Sequence, residues 1–152
     1  MIKLNRFRDA HLSHRKSILE EYIDNRQNPT RLGFNCYIDS ALITCRSLCG
    51  LLGFEVVSHN VTDMGDASQP KVKFDKFKVI RKNLDAGIII NNIKTKEELM
   101  RVADWEKIII CLNAANKCVA HFDEDLEHEA TPEIVAIAAK AVLREVESRI
   151  KV

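Results

Sequence analysis

Three side chains that could transfer a proton or bind phosphate lie along one face of a predicted helix near residue 120. Asn113, Lys117 and His121 follow one another at intervals of four residues, which places them in a ladder on that face. A neighbouring cation lowers the pKa of an imidazole and favours its neutral form, which can act as a general base. The ladder predicts a site in which His121 transfers a proton while Lys117 and the adjacent Asn116 hold a phosphate group.

A purely structural interpretation fits the same spacing. A histidine in the last turn of a helix interacts favourably with the negative end of the helix dipole, and a lysine one turn earlier can face solvent. Arg46, on another predicted helix, is a further candidate for the phosphate, from a neighbouring position or from a second subunit. The structural alternative for Arg46 is an ion pair, either with Asp39 or with an acidic residue elsewhere. The spacing alone leaves both interpretations open.

Four amphipathic segments supply the helices that must position these side chains. Apolar residues recur in them with helical periodicity, and turn and capping signals set their boundaries. Thr95 and Glu98 form a capping box at the start of the third helix, and Thr131 with Pro132 begins the fourth. The predicted helices span residues 9–27, 34–52, 96–122 and 132–150.

The segment between the second and third helices has an irregular pattern. Gly53 ends the second helix, and residues 58–70 have the composition of a loop. The stretches 71–80 and 87–93 fit a strand, an edge hairpin or a short helix. Two long helices joined by a short loop pack antiparallel. The sequence therefore predicts one all-α domain over residues 1–152, an up-and-down bundle of four main helices with an irregular or short-β insertion between helices 2 and 3.

Asn116 also bears on the oligomeric state. A buried amide without a hydrogen-bond partner costs about 1–3 kcal/mol, so this residue requires one. Its counterpart across the twofold axis of a homodimer is one candidate partner. Asn116 is the single polar residue in the apolar stripe of the third helix, which also contains Val102, Trp105, Ile109, Leu112 and Val119.

Composition restricts the class of protein. The chain has 152 residues, a net charge of +1 and 46% hydrophobic residues, values that suit a globular domain and exclude a strongly basic nucleic-acid binder. No apolar run approaches the roughly 18 residues that a membrane span needs. The charged N-terminal segment lacks the apolar core of a signal peptide. We therefore expect a cytoplasmic protein that makes no membrane contact.

The five cysteines predict buried thiols rather than a disulfide framework. Their number is odd and they lie in apolar helical runs, which fits a reducing compartment. Cys45 and Cys49 share one helix face and Cys111 and Cys118 share another, so four thiols could bind zinc between two helices. Structural zinc sites usually have close cysteine pairs on both sides, which this spacing lacks. The sequence thus predicts no metal and no cofactor.

Two charged segments bear on the partner of this protein. Five carboxylates lie between residues 123 and 129, directly after His121, where they would repel RNA or attract a basic partner protein. Residues 71–82 contain a single acid and six basic residues, a candidate RNA-contacting patch made of Lys71, Lys73, Lys76, Lys78, Arg81 and Lys82.

The sequence around His121 resembles a known superfamily. A helix that ends in Asn-Lys-Cys-Val-Ala-His-Phe (116–122), preceded by a long helix that contains Arg-Ser-Leu-Cys-Gly (46–50), is similar to the HEPN superfamily of small α-helical domains. HEPN domains occur in toxin–antitoxin and phage-abortive-infection systems. The resemblance implies a bundle fold and, for active members, a metal-independent RNase. The family motif is an arginine, four to six intervening residues and a histidine, and two subunits commonly bring their motifs together.

This chain departs from the family motif at the arginine. His121 matches the histidine, but Asn116 and Ala115 stand five and six residues before it, where the family has an arginine. Lys117 is too close and lacks the planar fork of arginine. The resemblance therefore implies a non-catalytic HEPN-like homodimer that acts through protein or RNA contacts in a bacterial defence or regulatory system. Two alternatives stay open. One is a toxin-type, metal-independent endoribonuclease that uses His121 as general acid or base, with Lys117, Asn116 and the further candidate Arg46 on the phosphate. The other is a structural helical adaptor unrelated to HEPN proteins.

Overall fold

Five helices and two short strand pairs form the described part of the chain. The structure, a computed structural model, describes residues 11–25, 31–57, 71–74, 88–120 and 130–151. Most of these residues are helical. The helices are α1 (Ser13–Asn25), α2 (Arg31–Leu52), α3 (Lys96–Met100), α4 (Trp105–Ala120) and α5 (Pro132–Arg149). The strands are β1 (Phe54–Val57), β2 (Lys71–Phe74), β3 (Ile89–Ile90) and β4 (Ile150–Lys151).

Helix α2 contributes a continuous apolar stripe to the core. Cys45, Leu48 and Cys49 on this stripe are fully buried, as the helical periodicity predicts. Helices α1, α4 and α5 all pack against α2. The helix begins three residues before the predicted start and ends where predicted, because Gly53 adopts a φ of 104° that favours glycine. No helix in the described part of the chain is long and apolar enough to cross a bilayer.

Two polar contacts join α1 to α5. The Lys16 ammonium group pairs with the Glu147 carboxylate at 2.8 Å, and the Tyr22 hydroxyl donates to the Pro132 carbonyl at 3.0 Å. An early residue of α1 thus meets a late residue of α5, and a late residue of α1 meets the first residue of α5. The two helices therefore run antiparallel.

Helices α4 and α5 also run antiparallel. Asp104, just before α4, pairs with Arg144 near the end of α5 at 3.3 Å. Further along α4, the Cys111 thiol lies 3.9 Å from the Ile134 carbonyl in the first turn of α5. Both helices pack against α2 as well as against each other.

The prediction of one continuous third helix over residues 96–122 is wrong. The chain forms the short helix α3, then a turn, and then α4. Asp104 interrupts the helix with a φ of 61°, a left-handed conformation that aspartate tolerates better than most residues. Its carboxylate also pairs with Lys107 at 3.6 Å and with Arg144, so the turn is tied to α4 and α5.

The predicted capping signals are confirmed. The Thr95 hydroxyl accepts a hydrogen bond from the Glu98 backbone N–H at 3.2 Å, and the Glu98 carboxylate accepts one from the Lys94 backbone N–H at 2.7 Å. The Thr131 hydroxyl accepts from the Ile134 N–H at 3.3 Å. These contacts satisfy backbone donors that a helix leaves unpaired at its N-terminus.

Short strands occupy part of the predicted insertion. Strands β1 and β2 pair antiparallel with Val56 opposite Val72. Strand β3 pairs with β4, where Ile90 lies opposite Ile150. The sequence predicted helix up to about residue 150, so β4 was not anticipated. The predicted loop over 58–70 lies outside the described residues.

Candidate functional site

Asn113 and Lys117 of the candidate ladder lie in the second half of α4. This helix is positioned by the burial of its apolar face against α2 and α5. Asn113 and Asn116 are half-buried on it. The Lys117 backbone belongs to α4, but its side chain lies outside the described part, and His121 lies wholly outside the described residues. Proton transfer by His121 therefore stays a prediction.

The amide of Asn116 connects α4 to the first strand. Its Nδ2 donates a hydrogen bond to the backbone carbonyl of Val56 in β1. Val56 is only 5% exposed, so this carbonyl has little access to water and needs a protein donor. The hydrogen-bond partner that the sequence required for Asn116 is thus a backbone group of the same chain.

This contact assigns Asn116 a structural role at the motif position. The amide is neutral, and its described hydrogen bond goes to a strand rather than toward open solvent. An arginine at this position would offer a permanent positive charge and a planar set of donors to a phosphate. Asn116 supplies neither the charge nor the fork, and its engaged donor instead holds β1 against α4.

Arg46 lies on the exposed side of α2, directly after the buried Cys45. Asp39 is also exposed, and among the ion pairs of the described residues none joins Asp39 to Arg46. The proposed structural ion pair is therefore not formed there. The approach of Arg46 to His121 involves a residue outside the described part and stays a prediction.

Two residues of the basic patch fall in β2. The Lys73 side chain is exposed, whereas only the backbone of Lys71 is described. Lys73 lies directly opposite Glu55 of β1, and opposite charges at such positions attract one another. A carboxylate thus flanks this lysine and reduces the local positive charge. The other residues of the patch, Lys76, Lys78, Arg81 and Lys82, lie outside the described residues. The acidic segment 123–129 also lies outside them.

Three cysteines are buried free thiols, as predicted. Cys45, Cys49 and Cys111 are 0% exposed. Burial raises the pKa of Cys111 to about 12. Burial also raises the pKa of Cys45 and Cys49 well above the ordinary thiol value, and repulsion between neighbouring thiolates adds to this effect. The neutral thiols pack as small apolar groups. In the portion described, no group of three or more His, Cys, Asp or Glu residues is placed to hold a metal ion.

A cleft between α1 and α2 was not predicted from the sequence. Its α1 side carries His11, His14 and Arg15, and its α2 side carries Ser40 and Thr44. The signal in the sequence is the spacing: His14 and Arg15 lie three and four residues after His11, and Thr44 lies four residues after Ser40, so each set shares a helix face. Basic residues on an exposed helix face are usually only solvated. Their spacing therefore does not indicate a cleft unless the position of the facing helix is known.

The chain matches no protein-family model, no curated protein and no solved structure. The HEPN resemblance therefore stays a sequence-based prediction.

Proposed function

We propose that this chain is a non-catalytic HEPN-like helical module, a homodimer that acts through protein or RNA contacts in a bacterial defence or regulatory system. The hydrogen bond from Asn116 to the Val56 carbonyl carries the non-catalytic part of this proposal. This hydrogen bond engages Asn116, which stands at a position where the family has an arginine, in a packing contact. The module would accordingly bind its partner without cleaving it.

Metal-independent RNA cleavage requires a group that transfers a proton and a cation that stabilises charge developing on the phosphate. His121 is available for the first task. For the second, Asn116 offers a neutral amide with an engaged donor, and Arg46 is an exposed residue of a different helix. Lys117 supplies a positive charge, but it is too close to His121 by the family spacing and lacks the planar fork of arginine. The loss of the motif arginine therefore favours binding over cleavage.

The proposed architecture is an up-and-down bundle of α1, α2, α4 and α5. The antiparallel relation of α5 to both α1 and α4 supports it. The Asn116 Nδ2 donor already has a partner within the same chain, the Val56 carbonyl. It does not need the Asn116 side chain of a second subunit, which was one candidate partner. The homodimer is thus a prediction that rests on the family resemblance, and sedimentation velocity tests it.

The proposal is tested by incubating a 5′-labelled structured RNA with the purified chain in EDTA. The wild type is compared with His121→Ala and with His59→Ala, a histidine variant outside the candidate ladder, as a matched control. We expect all three proteins to leave the RNA intact. RNA cleavage by the wild type and by His59→Ala, with loss of cleavage in His121→Ala, would overturn the proposal and support the endoribonuclease alternative.

A further inference from the structure

The cleft between α1 and α2 has a volume of about 330 Å³, within the range of small-ligand sites. One wall consists of His11, just before α1, with His14 and Arg15, which lie three and four residues after it and so share its helix face. The opposite wall includes Ser40 and Thr44 of α2, again four residues apart. Two helix faces thus present polar groups to the same space.

The charge of these walls favours an anion. Arg15 carries a permanent positive charge and five donors, and imidazoles can donate hydrogen bonds and accept a proton. Among the described residues that line the cleft, none is a carboxylate. Charge-assisted hydrogen bonds from arginine to phosphate are among the strongest that proteins form, and they are often bidentate.

Thr44 gives the cleft a buried polar base. This threonine is only 3% exposed, whereas His14 and Ser40 are exposed and stand at the rim. Within the described part of the chain, the Thr44 hydroxyl forms no hydrogen bond to another side chain or to the backbone. Buried polar groups normally have a partner, and a ligand oxygen in the cleft would supply one.

Two isoleucines add an apolar surface to the same cleft. Ile18 is half-buried on α1, and Ile43 is 49% exposed on α2. A large aliphatic side chain with half its surface in water is a less favourable arrangement than a covered one. Contact with the apolar or aromatic body of a ligand would remove this surface from water.

We propose that this cleft binds a small phosphate ester with an apolar or aromatic body, of the size of a nucleoside monophosphate. Arg15, with His11 and His14, binds the phosphoryl group, and Thr44 donates to one of its oxygens. Ile18 and Ile43 contact the body of the ligand. The site lies on α1 and α2 and does not depend on the catalytic competence of His121.

The test is isothermal titration calorimetry of the full chain with three probes: adenosine monophosphate, inorganic phosphate and adenosine. We expect adenosine monophosphate to bind more tightly than phosphate, because the isoleucines contact its body, and adenosine to show no measurable binding. Equal affinities for adenosine monophosphate and phosphate would contradict the role assigned to the isoleucines. No binding of either phosphate-bearing probe at millimolar concentration would overturn the proposal.

Substitutions locate the binding to the cleft. Arg15→Gln is expected to weaken adenosine monophosphate binding at least about tenfold, since a charged hydrogen bond is lost. The matched control is Lys16→Gln, which removes the same charge one residue further on, from a side chain that pairs with Glu147. An equal loss of affinity in the two variants would mean unspecific charge attraction and would refute the site. Thr44→Val keeps the shape of the buried side chain and is expected to weaken binding, and unchanged affinity would contradict its role.

Discussion

Replacement of Asn116 with aspartate isolates the contact that positions β1. The new side chain keeps the shape of asparagine but exchanges the Nδ2 donor for a carboxylate oxygen, so two acceptors would face each other at the Val56 carbonyl. An unsatisfied buried acceptor costs about 1–3 kcal/mol. Val56 is almost fully buried, whereas Asn116 is half-buried and retains some access to water. We therefore expect a loss of about 2 kcal/mol in the free energy of unfolding.

The assay is urea unfolding at neutral pH, followed by circular dichroism. Asn113→Asp is the matched control, because Asn113 is half-buried on the same helix one turn earlier and undergoes the same chemical change. For a domain of about 150 residues, a loss of about 2 kcal/mol lowers Tm by roughly 4–8 °C. Asn116→Ala removes the donor without adding a charge. Its free energy of unfolding is expected to lie between those of the wild type and Asn116→Asp.

Equal losses in the free energy of unfolding for Asn116→Asp and Asn113→Asp would contradict this role of the Asn116 amide. That result would mean that any carboxylate on this face of α4 is unfavourable and that the Val56 carbonyl does not depend on the Asn116 amide. Hydrogen exchange gives a second readout of the same contact. Backbone amides of β1 and β2 should lose protection in Asn116→Asp and keep it in the Asn113→Asp control.

Three further predictions concern the stability of the fold. Gly53→Ala should lower the free energy of unfolding in urea by at least about 1–2 kcal/mol, because φ is 104° and the added Cβ would lie 2.7 Å from Asn92 Nδ2. Wild-type stability in this variant would contradict the strained turn. In a Cys36→Ser/Cys118→Ser background, a thiol reagent at pH 8 should label none of the three remaining cysteines until guanidinium unfolds the chain. Folding raises the pKa of these thiols, so their contribution to the free energy of unfolding should be complete below pH 9 and should be lost as the pH rises from there toward 12. Thr131→Ala should cost about 1 kcal/mol in the same urea assay, because α5 loses its N-cap, and a Thr131→Ser control should restore most of that loss.

Elements with local signals could be predicted from the sequence. Thr95 and Thr131 mark helix starts because a capping side chain bonds to a backbone group only three residues away. Gly53 marks a helix end for a similarly local reason, since its φ is one that other residues adopt at a cost. The buried stripe of α2 follows from periodicity within the helix itself.

Features that depend on distant partners could not be predicted. The apolar periodicity continues through Asp104, so nothing in the pattern indicates that the helix breaks there and that its carboxylate pairs with Arg144. Strand β4 forms because Ile150 meets Ile90, which lies 60 residues earlier in the chain. Such pairings depend on the packing of the whole chain rather than on local preference.

In the candidate site, too, local features could be predicted from the sequence and distant contacts could not. The sequence indicates that Asn116 needs a hydrogen-bond partner, because it is polar in an apolar stripe. The identity of that partner, the Val56 carbonyl 60 residues away, required the structure. The cleft beside Arg15 likewise depends on how α1 and α2 face each other, which the spacing of either helix alone does not give.

The central claim is that the Asn116 amide binds β1 and does not bind phosphate. The most direct measurement follows the Asn116 side-chain amide resonances in a ¹⁵N-labelled sample while a structured RNA is titrated in EDTA. If the Asn116 amide stays bound to the Val56 carbonyl, these resonances will remain at their protein-only position up to a large excess of RNA. A shift of the Asn116 amide resonances that follows the RNA concentration and saturates with it would contradict the claim.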